Sequence, residues 1–84
     1  MLTMREAVQR AIRWVDQTED QALLIEGSYA DGGRARRLHW MKNTLLTAPT
    51  EGLQGDLLDH WIGTGLLPRD LFKSDLSEEQ PEEV

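Results

Sequence analysis

Residues 3–17, with the sequence TMREAVQRAIRWVDQ, decide the fold class. Apolar side chains recur along this stretch every three to four residues, which is the period of an α-helix. Thr3 and Glu6 form a capping-box pattern, in which each side chain bonds a backbone N–H that the first turn leaves unpaired. We therefore predict an amphipathic helix over residues 4–17. Its apolar positions are Met4, Ala7, Val8, Ala11, Ile12 and Val15, with Trp14 at the edge of the stripe.

The next segment, residues 18–33, is ambiguous. Residues 18–21 (TEDQ) repeat the capping signature, which favours a short second helix that starts at 19 and ends near Gly27. In a strand, however, Leu23, Ile25 and Tyr29 would share one face. Residues 22–40 would then pair as a hairpin across the turn at residues 31–33 (DGG). We favour the helix and keep the hairpin as the alternative.

Two further helices are indicated downstream. In residues 34–47, Leu38, Met41 and Leu45 form a narrow apolar seam, and residues 48–49 (AP) stop the helix. Thr50 then caps a fourth helix, which ends at Gly63 and is followed by an irregular segment folded over the core. The apolar face of this fourth helix comprises Leu53, Leu57, Leu58, Trp61 and Ile62.

Charge is distributed unevenly along the 84 residues. Residues 1–47 carry seven Arg/Lys against six Asp/Glu, whereas residues 48–84 carry two against nine. The last part of the chain has too little apolar surface to offset its ordering entropy. We predict one compact all-α domain of three to four helices over residues 1–74 and a disordered acidic tail over residues 75–84. The alternative is an α+β fold containing the 22–40 hairpin.

Composition narrows the function classes. The chain has no cysteine, which removes disulfides and thiolate chemistry and fits a reducing compartment. No apolar run approaches the ~20 residues that span a bilayer, and the first residues lack the regions of a secretory signal. We therefore expect a cytoplasmic protein that does not act at a membrane. Because so short a chain buries a small core, a homodimer is one way to complete it.

No catalytic or metal-binding constellation is evident. Ser28 follows Gly27 but lacks the second glycine of a nucleophile elbow. His39 and His60 are far apart, and neither has a His or Glu one turn further along the helix. The carboxylates of the fourth helix, as in Asp56, are typical of a solvated face. We predict no catalytic residue, no metal site and no cofactor, and hence no enzyme.

The most informative functional feature is residues 34–42, RARRLHWMK, with four cations and no acid. On a helix, Trp40 points away from the apolar seam and towards Arg36, one turn away, on which its ring can stack. Cations steer an anionic partner, and an indole adds apolar area at low entropy cost. We predict a protein-binding regulator, such as an adaptor, inhibitor or subunit, or alternatively a nucleic-acid binder. The predicted contact residues are Arg34, Arg36, Arg37, His39, Trp40 and Lys42.

Overall fold

The computed structural model describes residues 2–73, which form three α-helices and one 3₁₀ helix with no β-strand among them. The helices are α1 (Met4–Glu26), α2 (Arg34–Thr47) and α3 (Glu51–Gly63), and the 3₁₀ helix is Arg69–Phe72. The predicted all-α fold is confirmed, and the alternative hairpin across residues 22–40 is wrong. The disorder predicted for residues 75–84 concerns residues outside the described range.

Helix α1 is one continuous helix, so the predicted boundary between two helices at residues 17–19 is wrong. The capping box of Thr3 and Glu6 starts the helix as predicted. The second capping signature, at residues 18–21, does not start a new helix. Thr18 Oγ1 instead donates to the Trp14 carbonyl of the preceding turn at 2.6 Å. The helix ends at Gly27, whose φ of 81° lies in the left-handed region that glycine adopts without strain.

Helices α1 and α2 form an antiparallel hairpin whose connection is held by Glu26. The Glu26 carboxylate accepts hydrogen bonds from Arg34 N at 3.0 Å and Ala35 N at 3.2 Å. It thereby caps α2 in place of the capping residue Gly33, which has no side chain. A Cβ at Gly33 would lie 2.9 Å from Glu26 Oε1, so a larger residue there would displace this carboxylate from its capping position.

Helix α3 packs against both helices of the hairpin. Thr50 Oγ1 caps it by accepting from Leu53 N at 3.1 Å, as predicted. Gln54 Nε2 donates at 3.0 Å to the Leu45 carbonyl, near the end of α2. Gly55 packs against the end of the Met4 side chain of α1, and a Cβ there would lie 2.8 Å from Met4 Cε.

The segment after α3 folds back over the core, as predicted. The amides of Leu66 and Leu67 both donate to the Trp61 carbonyl, and Leu67 is buried. Arg10 Nη1 donates to the carbonyls of Leu71 at 3.0 Å and Lys73 at 2.8 Å. Arg10 therefore holds the 3₁₀ helix and Lys73, the last described residue, against α1.

The core lies between the three helices and the returning segment. Two positions predicted on the apolar faces are exposed, each at the first turn of its helix: Met4 of α1 at 41% and Leu53 of α3 at 47%. The largest side chains that are fully buried are Trp61, Met41, Leu45 and Val15. The seam predicted for α2 is confirmed, since Leu38, Met41 and Leu45 are all buried. No helix within residues 2–73 combines the length and the apolar character needed to cross a bilayer.

Candidate interaction surface on helix α2

The six residues predicted to bind a partner divide into two groups on opposite sides of α2. Four of them form what we call the Arg–Trp surface: Arg34, Arg36, Arg37 and Trp40, all of which are exposed. The other two, His39 and Lys42, face α1 and contact the carboxylate of Glu19. The structure thus does not bring all six residues together on one side of the helix.

Trp40 is the apolar centre of the Arg–Trp surface. Its side chain is 54% exposed, and its ring packs edge-on against Trp61, with ring centroids 5.9 Å apart and an angle of 62° between the ring planes. This is the tilted geometry that aromatic pairs prefer. Because Trp61 is buried, one edge of Trp40 rests on the rigid core while the rest of the ring stays open to a partner.

The arginines of this surface line two shallow cavities that meet at Arg37. The first cavity, of about 270 Å³, lies between Arg34, Arg37 and Trp14 and is closed by the segment that follows α3. The second, of about 320 Å³, is bounded by Arg36, Arg37, Trp40 and the glycines that precede α2. A partner that covered Arg37 would therefore meet an indole on either side of it.

The charges of the Arg–Trp surface are only partly compensated. Arg36 donates to Asp31, and both side chains are exposed. Within residues 2–73, the guanidinium groups of Arg34 and Arg37 have neither an ion pair nor a hydrogen bond. The stacking of Arg36 on Trp40 stays a prediction, although both residues line the same cavity.

The position of these arginines opposes the usual electrostatics of a helix. Arg34, Arg36 and Arg37 occupy the beginning of α2, whose first turn contains no acidic residue. The partial positive charge of a helix N-terminus disfavours cations there by a few tenths of a kcal/mol to about 1 kcal/mol each. Glu26 and Asp31 offset part of this cost from outside the helix. Sequences break such local stability rules mainly at functional sites, so these arginines are candidates for a functional surface.

On the other side of α2, the carboxylate of Glu19 is 2% exposed and bound by three side chains. Tyr29 Oη donates to Oε2 at 2.6 Å, His39 Nδ1 lies 2.9 Å from the same oxygen, and Lys42 Nζ lies 3.0 Å from Oε1. Lys42 also donates to Asp16 Oδ1 at 3.0 Å. We call these five residues the Glu19 cluster.

The ionisation of the Glu19 cluster follows from these contacts. Burial raises the pKa of Glu19, but the hydrogen bonds from Tyr29, Lys42 and His39 outweigh it and lower that pKa overall. The carboxylate raises the pKa of Tyr29, and Asp16 together with Glu19 raises the pKa of Lys42. Because an ionised carboxylate only accepts, His39 carries a proton on Nδ1. His39 and Lys42 therefore stabilise the α1–α2 interface, although the side chain of His39 is still 47% exposed and that of Lys42 is 21% exposed.

Sequence reasoning missed the role of Glu19. One signal was present, because Glu19 lies four residues after Val15 and three before Ala22, on the buried stripe of α1. A carboxylate on such a stripe implies cationic or hydroxyl partners on the neighbouring helix. The sequence pattern also did not indicate that Leu24 and Ile25, near the end of α1, would be 86% and 85% exposed.

The other polar residues considered in the sequence do not converge. Asp56 and His60 are exposed on α3 and border an open, largely apolar groove near Leu53. Within the described part of the chain, no group of three His, Cys, Asp or Glu side chains is placed to hold a metal ion.

Comparison with protein-family models, with curated proteins and with solved structures finds no match to this chain. The geometry and charge of the Arg–Trp surface are therefore the basis on which a function can be proposed.

Proposed function

We propose that this protein is a small, non-enzymatic regulator that acts by occupying an acidic surface of a protein partner. The observation that carries the proposal is the Arg–Trp surface, where Trp40 is half exposed beside Arg34 and Arg37, whose charges have no partner within residues 2–73. Tryptophan and arginine are the residue types that most often dominate the energy of protein interfaces.

The surface is also organised in advance of binding. Trp40 rests against the buried Trp61, and α2 is fixed to α1 through the Glu19 cluster. A partner would lose little side-chain entropy on the tryptophan, which is one of the main costs of association. Arg34 and Arg37, which have no ion pair within residues 2–73, would accelerate encounter with an acidic partner and fix the orientation of the complex.

The proposal includes the cytoplasm as the place of action, because the cysteine-free chain fits a reducing compartment.

A nucleic acid is the alternative partner, and one observation favours it. Trp14 and Trp40 flank the arginines, which is an arrangement suited to stacking unpaired bases beside a phosphate backbone. The net charge of −6 counts against it, since phosphate neutralisation dominates such binding. Salt dependence separates the two partners, because the affinity of a nucleic acid falls steeply with added salt.

The test compares variants of the full chain as bait for partner proteins and nucleic acids. We expect Arg34→Gln combined with Arg37→Gln to weaken binding of the captured partner at least tenfold. Trp40→Ala should weaken a protein complex about 30-fold or more, corresponding to about 2 kcal/mol. The matched control is Arg5→Gln combined with Arg13→Gln, which removes the same charge from the exposed side of α1.

The arginine variants separate binding from folding. Removing cations from the first turn of α2 relieves their repulsion by the helix dipole, so the melting temperature should stay the same or rise slightly. Unchanged affinity in variants with wild-type circular dichroism would remove the Arg–Trp surface from consideration. A partner lost equally in the α1 control would mean that overall charge, and not this surface, governs binding.

A further inference from the structure

We propose that the Arg–Trp surface also binds the acidic segment of its own chain, residues 74–84, which thereby competes with the external partner. The inference uses the same surface as the proposed function but needs no partner to be tested. It assigns an occupant to the charges of Arg34 and Arg37, which residues 2–73 leave without ion pairs.

Charge complementarity is the first argument. Residues 74–84, SDLSEEQPEEV, contain five acidic residues and no Lys or Arg. The described part of the chain is close to neutral, with nine Lys/Arg against ten Asp/Glu. Its uncompensated cations at the start of α2 are thus the complement of the most acidic segment in the sequence.

The place at which the described chain ends is the second argument. The Lys73 carbonyl accepts a hydrogen bond from Arg10 on α1. Trp14 lies one helical turn from Arg10, about 6 Å along the axis. Trp14 lines the same cavity as Arg34 and Arg37. The acidic pair at residues 78–79 follows Lys73 by five to six residues, which span up to about 20 Å, so this pair can reach the cavity.

Tethering makes even a weak contact significant. A segment joined by a short linker has an effective concentration of the order of 1 mM at its own binding site. A contact with a Kd of that size would fill the surface about half of the time. Bound partner would displace the segment, and its apparent affinity would then be about twofold lower than without the segment.

The test uses ¹⁵N-labelled full-length protein and reads the contact directly by NMR. The probes are the indole N–H of Trp40, assigned with Trp40→Phe, and the Nε–H of Arg37. The segment is neutralised in place by Glu78→Gln, Glu79→Gln, Glu82→Gln and Glu83→Gln. We expect both signals to move, while the indole of the buried Trp61 stays in place. Added salt should move the wild-type signals in the same direction, because it screens the contact.

A second variant controls for the general change in charge. Asp56→Asn combined with Asp59→Asn removes acids from the exposed side of α3 and should leave both probes unmoved. Probes that do not respond to the tail variant, or that respond equally to the α3 variant, would overturn the inference. Shifts that vanish on dilution would overturn it too, because they would show binding by the segment of a second copy.

The outcome is independent of the proposed function. The partner experiment can fail while the NMR signals of Trp40 and Arg37 still report the intramolecular contact. Conversely, silent probes would leave an external partner of the Arg–Trp surface in place.

Discussion

Replacing Glu19 by glutamine removes one charge from the interior of the α1–α2 interface and keeps the shape of the side chain. Glu19 is 2% exposed and contacts Tyr29, His39 and Lys42 at distances between 2.6 and 3.0 Å. An amide at this position still accepts from Tyr29 but loses its attraction for Lys42. Glu19→Gln therefore isolates the contribution of the charge.

The expected cost lies between two reference values. Removing one partner of a buried ion pair costs about 3–5 kcal/mol, and losing a neutral hydrogen bond costs about 0.5–1.5 kcal/mol. Lys42 is not left uncompensated in the variant, because its Nζ lies 3.0 Å from Asp16 Oδ1 and its side chain is 21% exposed. We therefore expect Glu19→Gln to lower the free energy of unfolding by about 2 kcal/mol.

The cost also depends on pH in a defined direction. The pKa of Glu19 is lowered in the folded protein, so its ionised form stabilises the fold above the unfolded-state pKa near 4.5. That contribution is lost as the pH falls through the lower, folded-state pKa. The cationic and hydroxyl groups around it, from Tyr29, His39 and Lys42, then lose their common acceptor. The difference between wild type and Glu19→Gln should therefore be full at pH 7 and shrink below pH 4.

Urea unfolding followed by circular dichroism at pH 7 and pH 3.5 measures both effects. The control is Asp16→Asn, which removes the more exposed partner of Lys42 and should cost at most about 1 kcal/mol. A Glu19→Gln variant within about 0.5 kcal/mol of wild type at pH 7 would refute the reasoning. A loss that is the same at both pH values would also refute it, since the loss would then not come from the charge.

Two further pairs of substitutions test the packing and the cap of α2. Trp61→Ala should lower the free energy of unfolding by about 3–5 kcal/mol, enough to unfold much of so small a domain. Trp40→Ala should cost far less, because about half of the Trp40 surface is already exposed. Equal melting curves for the two variants would contradict this prediction. Gly33→Ala places a Cβ 2.9 Å from Glu26 Oε1 and should cost about 1–2 kcal/mol, because the Glu26 carboxylate would then no longer cap α2. Its control is Gly63→Ala, whose Cβ meets open space and which should cost nothing in the same thermal melt.

The elements that could be predicted from the sequence are those fixed by local signals. Helix α2 has the predicted bounds, 34–47, because proline follows it closely and its apolar seam is regular. Helix α3 begins after the predicted cap, Thr50, whose hydroxyl binds the amide three residues on. The turn predicted before α2 is present. Gly32 lies in it with a φ of 77°, a backbone conformation that favours glycine.

The errors arise where distant contacts override local signals. Thr18 can cap a helix, but the chain contains no glycine or proline between Met4 and Glu26 that would interrupt one. Continuing the helix places Glu19 against donors that lie ten to 23 residues later in the chain. That long-range compensation cannot be read from residues 18–21 alone. The same continuity leaves Leu24 on the exposed side of α1.

Helix α2 combines two demands that conflict at its first turn. Its seam must dock into the core, and its first turn must expose Arg34 and Arg37, whose charges disfavour the start of a helix. The carboxylate of Glu26 resolves the conflict by taking the backbone N–H groups of the first turn. Under the proposed function, the side chains of Arg34 and Arg37 are the groups that bind the anion, because Glu26 already accepts from the backbone N–H groups of the first turn. Recognition would then depend on Arg34 and Arg37 and not on the helix terminus itself.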